Sequence, residues 1–114
     1  TSGCETGWGG ILFRKTSKYD PKTTETLCRY ASGKFQEKGH LTSLDFEILA
    51  VIYCLEAFRL FICNKQEITI RTDCEAIVKY SQQTKGLRKG LSTKRWLKFT
   101  DTIINKGLRI NWEQ

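Results

Sequence analysis

The sequence has no Cys-x-x-Cys pair and a single histidine, His40, and its cysteines are odd in number, five in all (Cys4, Cys28, Cys54, Cys63 and Cys74). Structural zinc draws on closely spaced Cys and His ligands, and a disulfide framework on cysteines that pair, so neither is expected to organise this chain. Cys54 and Cys63 lie in an apolar run, where thiols act as small buried hydrophobes. The expected setting is therefore reducing and intracellular rather than secreted. Long hydrophobic runs are missing too. Glu47, Glu56 and Arg59 interrupt the longest, which falls short of the roughly 18 apolar residues of a membrane span. With no secretory signal at its start and Thr1 in place of Met, the chain reads as a piece of something longer, truncated at both ends. Proline occurs once, at Pro21, and there is no internal repeat or low-complexity tract.

What is present is enough for one core. Hydrophobic residues make up 39% of the 114 and charged ones 27%, which suits a single folded domain over residues 1–114. The net charge of +7 is local. Lys85, Arg88, Lys89, Lys94, Arg95 and Lys98 fall in one stretch with no acid among them, and the other 13 basic residues nearly balance the 12 acids. A concentrated basic stretch suits a polyanion partner; a solvated basic loop is the plainer alternative.

Hydrophobic periodicity gives the element order. Gly7 to Lys15 reads as a strand, Thr16 to Thr23 with its Asp-Pro step as a turn, and Thr24 to Ser32 as a second strand of period two. A bend at Gly33 leads to a short third strand over Gly33 to Gln36. Thr42 to Asn64 is the strongest element, a helix with a Thr42/Asp45 capping box and one face formed by Leu44, Ile48, Val51, Leu55, Phe58 and Ile62. Phe46, Leu49, Ile52, Tyr53 and Leu60 carry apolar character around much of the cylinder, so the helix is expected to be central. Glu67 to Thr72 follows as a strand, Cys74 to Tyr80 as the start of a helix, Ser92 to about Lys106 as another with Trp96 in its apolar stripe, and Leu108 to Trp112 as a last strand.

Two carboxylates stand out. Glu47 sits on the first half of an otherwise almost wholly apolar helix, where an ionised group is costly unless paired or bound to a cation. Asp73 sits where a strand gives way to a helix, a place where open α/β sheets gather ligands. Convergence of the two would suit Mg²⁺, which takes oxygen ligands. The alternatives are a Glu47 that reaches solvent or an Arg, and an Asp73 that caps a helix.

The runs Thr1 to Gly10 (TSGCETGWGG), Tyr30 to Phe35 (YASGKF), Ser43 to Val51 (SLDFEILAV) and Ile70 to Ile77 (IRTDCEAI) together resemble the ribonuclease H domain of reverse transcriptases, most closely the plant pararetroviruses of the badnavirus and tungro bacilliform type. The resemblance covers Thr1 to Gln114. It implies an α/β fold with a five-stranded mixed sheet flanked by helices on both faces. It also implies a four-carboxylate site with two Mg²⁺ or Mn²⁺ ions that hydrolyses the RNA strand of an RNA/DNA hybrid, in a polyprotein whose polymerase is covalently linked, inside the host cell or virion. By motif, Glu47 and Asp73 take the catalytic and metal-binding roles. Ser32 and Gly33 match the small-residue turn near the RNA strand, and Arg88, Lys89, Lys94 and Arg95 are expected to hold phosphates. Trp96 is expected in the core.

The sequence also departs from the pattern. The family's first strand opens T-D-G, and here Ser2 holds the acidic position; the last Asp and the terminal helix of the fold fall beyond Gln114. Two readings account for this. Either the ends of the chain are altered and cut short and the natural domain is a competent nuclease, or this copy is degenerate and only binds duplex. The first is favoured, because Glu47 and Asp73 keep positions that are costly or idle without metal.

Overall fold

In a computed structural model, which describes residues 1–17, 19–37, 39–82 and 108–114, the chain is mixed α/β. Strand β1 (Ser2–Cys4) turns into β2 (Gly7–Arg14), and β3 (Thr26–Gly33) returns antiparallel to β2 after a 3₁₀ turn at Lys22–Thr24. Helix α1 (Ser43–Ala57) and the short α2 (Arg59–Ile62) lead to β4 (Glu67–Arg71), then α3 (Glu75–Gln82), and β5 (Arg109–Glu113) runs parallel to β4. The described strands therefore hydrogen-bond as an antiparallel sheet β1-β2-β3 and a parallel pair β4-β5. Between them, the amino group of Thr1 donates to the Arg71 carbonyl at 2.8 Å, so β1 begins beside the end of β4.

Helix α1 forms where its cap and burial agree. Thr42 Oγ1 accepts from Asp45 N–H at 3.1 Å and Asp45 Oδ2 accepts from Thr42 N–H at 2.9 Å, the reciprocal box expected from the sequence. Ile48, Leu49, Val51, Ile52 and Leu55 are buried with Ile70 and Ile77 in the core, and each full burial of such a side chain is worth about 1.5–3 kcal/mol. The helix does not run unbroken to Asn64. At Phe58 the backbone leaves helical geometry (φ −97°, ψ 11°); beyond it Ile62 of the expected face still packs against the core, whereas Leu60 is 80% exposed and the Arg29 guanidinium lies 5.5 Å from the centre of the Phe61 ring. Cys63 is likewise exposed and not the buried thiol expected; Cys54 is buried.

Small residues let the sheet lie flat on α1. A Cβ at Gly10 would run into Cys54 Sγ, and one at Gly3 would run into the Phe46 carbonyl and come within 2.7 Å of Ala50 Cβ. The alternate residues Trp8, Gly10 and Leu12 face the helix, and Trp8 stacks on Tyr53 with ring centroids 5.5 Å apart. Two sequence expectations shift here. Strand β1 precedes the glycine-led strand, and β3 is one strand ending at Gly33 with Thr24 in the 3₁₀ turn, rather than two strands bent at Gly33. A register shift pairs Leu12 with Arg29 but Phe13 with Leu27, leaving Cys28 as the extra residue, so Leu27 and Tyr30 share the outer face with Ile11 and Phe13. The expected helix over residues 92–106, with Trp96, lies outside the described residues. Among the described residues no helix is long and apolar enough to cross a membrane.

Candidate functional site

Strand β4 alternates, and Ile68 and Ile70 turn toward the core. The next residue in phase is Thr72, 3% exposed and the one buried polar residue recorded among those described. A buried hydroxyl needs partners. Thr72 Oγ1 donates to Glu47 Oε2 at 3.4 Å and accepts from Cys74 N–H at 3.2 Å, while its own N–H donates to the Glu113 carbonyl at 3.1 Å. The other oxygen of Glu47 accepts from Gly3 N–H at 3.3 Å. The close approach of Gly3 to the Phe46 carbonyl brings that N–H to the residue that follows Phe46, so the glycine is a structural condition of the contact.

The Glu47 carboxylate is thus half-buried between β1 and the end of β4, held by two long hydrogen bonds from neutral donors. Among the described residues no Lys or Arg pairs with it. Asp73 directly follows Thr72 and is exposed. It is Thr72, not Asp73, that takes the Cys74 N–H ahead of α3, so the described hydrogen bonds give Asp73 no capping role. Glu47 therefore touches the residue beside Asp73. No group of three or more His, Cys, Asp or Glu is gathered among the described residues. Ser2, next to Gly3, is exposed and opposite Gly9 in the β1-β2 register.

The end of β4 is tied down by charge. The Arg71 guanidinium grips both carboxylate oxygens of Glu25, with Nη1 to Oε2 at 3.0 Å, and its Nε lies 3.5 Å from Glu113, which Lys22 also meets at 2.7 Å. The Arg71 hydrogen bonds hold the Glu25 carboxyl below its usual range, and the Lys22 hydrogen bond does the same to Glu113.

The expected substrate residues divide. Gly33 pairs with Trp8, which pairs with Gly3, so Gly33 lies in the same cross-strand row as the Glu47 contact and two strand spacings away, about 10 Å. Ser32 is exposed on the opposite face from Trp8. Arg88, Lys89, Lys94 and Arg95 lie outside the described residues. Gly3 and Thr72 were not singled out from sequence. For Thr72 the signal was available, since period two through Ile68 and Ile70 places its hydroxyl inward.

Residues 1–102 match the family described as the RNase H-like domain found in reverse transcriptase. The chain is 41% identical over 113 residues to Polyprotein P3 of Commelina yellow mottle virus, covering 99% of the chain and 6% of that protein. It is 34% identical over 98 residues to the enzymatic polyprotein of carnation etched ring virus (84% of the chain, 14% of that protein), and 42% identical over 69 residues to that of cauliflower mosaic virus strain D/H (58% and 10%). The chain thus spans a small fraction of each polyprotein. No solved structure matches it.

Proposed function

Because the chain belongs to the RNase H-like domain family of reverse transcriptases, we propose that it is a metal-dependent endonuclease that hydrolyses the RNA strand of RNA/DNA hybrids during viral reverse transcription, within a polyprotein that also carries the polymerase. The observation that supports this is the placement of Glu47, whose carboxylate meets Gly3 and Thr72 beside the exposed Asp73. The finer fold proposed with it is a single five-stranded mixed sheet, continuous across the Thr1–Arg71 contact.

The donor chemistry fits a hard divalent cation. Glu47 and Asp73 offer carboxylate oxygens only, and Glu47 has no described cation to balance its charge. Mg²⁺ or Mn²⁺, when bound, supplies the charge that activates water and stabilises the leaving oxygen in phosphodiester hydrolysis. Glu47 and Asp73 would hold it. Gly33 in the row beyond Trp8 would lie along the RNA strand with Ser32, and Arg88, Lys89, Lys94 and Arg95 would neutralise phosphates.

A second reading, a catalytically silent duplex-binding or connecting module, rests on Ser2: the position beside Gly3 carries a hydroxyl and no third carboxylate joins the site among the described residues. The deciding experiment follows cleavage of a labelled RNA/DNA hybrid in Mg²⁺ or Mn²⁺ by the chain and its Glu47→Gln variant, at equal protein concentration. Cleavage lost in Glu47→Gln supports the nuclease. Equal cleavage removes Glu47 from the mechanism, and binding of hybrid with no cleavage in either favours the silent module.

A further inference from the structure

Thr72 makes three hydrogen bonds, and they tie together α1, the start of α3 and β5. Its hydroxyl joins the Glu47 carboxylate on one side to the Cys74 N–H on the other, and so spans Asp73, while its own N–H is anchored on β5. At 3% exposure the hydroxyl has no water to turn to, so its hydrogen atom is directed by the packing around it. With Cys74 N–H already donating to Thr72 Oγ1, the proton of that hydroxyl is left for Glu47 Oε2. The carboxylate is thereby clamped between two donors from distant parts of the chain, Gly3 N–H and Thr72 O–H.

We infer that Thr72 is a positioning residue: its hydroxyl fixes the orientation of the Glu47 carboxylate, and its link to Cys74 N–H fixes the backbone that presents Asp73, so that the two carboxylates keep a set relation before any ion arrives. A free glutamate on a helix samples several rotamers, and ordering it in advance removes that cost from cation binding. The inference rests on the proposed metal site but makes a separate claim about the metal-free protein. Valine in place of Thr72 keeps the shape and loses the hydroxyl; serine keeps the hydroxyl and loses a methyl group.

The test uses the whole chain without metal, and then with Mn²⁺ alone. In the metal-free protein, amide hydrogen exchange at Gly3, measured by NMR, is expected to rise about fivefold in Thr72→Val, stay near wild type in Thr72→Ser, and show no further rise when Thr72→Val is added to Glu47→Gln. With Mn²⁺ titrated and read by electron paramagnetic resonance, affinity is expected to fall about tenfold in Thr72→Val and to be retained in Thr72→Ser. Unchanged Gly3 exchange in a folded Thr72→Val protein, or equal losses in the valine and serine variants, overturns the inference. Should Thr72→Val not fold, Thr72→Ala decides: Gly3 exchange near wild type overturns the inference, and exchange raised toward that of Glu47→Gln, with Thr72→Ser near wild type, upholds it. If the wild-type chain binds no Mn²⁺, the nuclease reading fails, and the Gly3 exchange data still decide the role of Thr72.

Discussion

Arg71 and Glu25, 46 residues apart in sequence, meet in a two-pronged ion pair that joins the end of β4 to the segment leading into β3. The Arg71 hydrogen bonds are the largest cause of the lowered Glu25 carboxyl value, and Lys22 and Arg71 lower that of Glu113. A carboxylate depressed in the folded state adds stability above its usual value near 4.5, and that stability is lost as pH falls through the lower folded value. Urea unfolding midpoints measured from pH 6 downward are therefore expected to drop below pH 4.5, with a shallower drop in Glu25→Gln. Identical acid limbs in the two proteins would show that the pair adds nothing.

Gly10 lies so close to Cys54 that a β-carbon would meet the thiol. Gly10→Ala is expected to cost about 1–3 kcal/mol by overpacking, and the cost should shrink when Cys54→Ala makes room. Chemical denaturation of the two single variants and the double variant measures this. Strict additivity would place the strain elsewhere.

Burial pushes the Cys54 thiol up to about 11, whereas Cys4, Cys28 and Cys63 are exposed. Alkylation of the folded chain at pH 8 followed by mass mapping should label those three and spare Cys54 until denaturant is added. Because the folded value is the raised one, the stability this thiol contributes is present below pH 9 and lost as pH rises from 9 through about 11.

Thr42→Ala removes one half of the capping box and is expected to cost about 1 kcal/mol, read as a lowered thermal midpoint. Thr42→Ser should recover most of it, which separates the cap from the packing of the threonine methyl.

Ser2→Asp puts a carboxylate next to the glycine that binds Glu47. On the proposed reading, Mn²⁺ affinity should rise on the order of tenfold and hybrid cleavage should rise with it, since affinity for hard cations follows the number of charged ligands. An aspartate there that changes neither quantity would separate position 2 from the site.

Local chemistry made parts of the fold legible. The capping box at Thr42 and the buried face through Ile48, Val51 and Leu55 follow from spacing alone, because cap and stripe agree over a long helix. The break at Phe58 does not, since Leu60 and Phe61 keep the composition of a buried helix while facing outward. Strict alternation through β3 would put Leu27 on the face opposite Tyr30, but an extra residue at Cys28 reverses the phase, and periodicity cannot register an insertion paired on another strand. Strand β1 shows no periodicity over Ser2–Cys4 and is paired with β2; only the resemblance, whose first strand opens at these residues, points to it. For the site, Glu47 and Asp73 were conspicuous by charge in unusual places. Their link through Thr72 depends on α1 and β4 meeting in space, and so does the part played by Gly3.

The pairing of β1 with β2 has a consequence in time. Gly3 is held against Glu47 by the pairing of β1 with β2 and by its close fit on α1, and such local pairings open at free energies below that of the whole fold. The Gly3 side of the Glu47 contact is therefore expected to last as long as that pairing, and a variant with an unchanged melting temperature can still lose it through faster local opening.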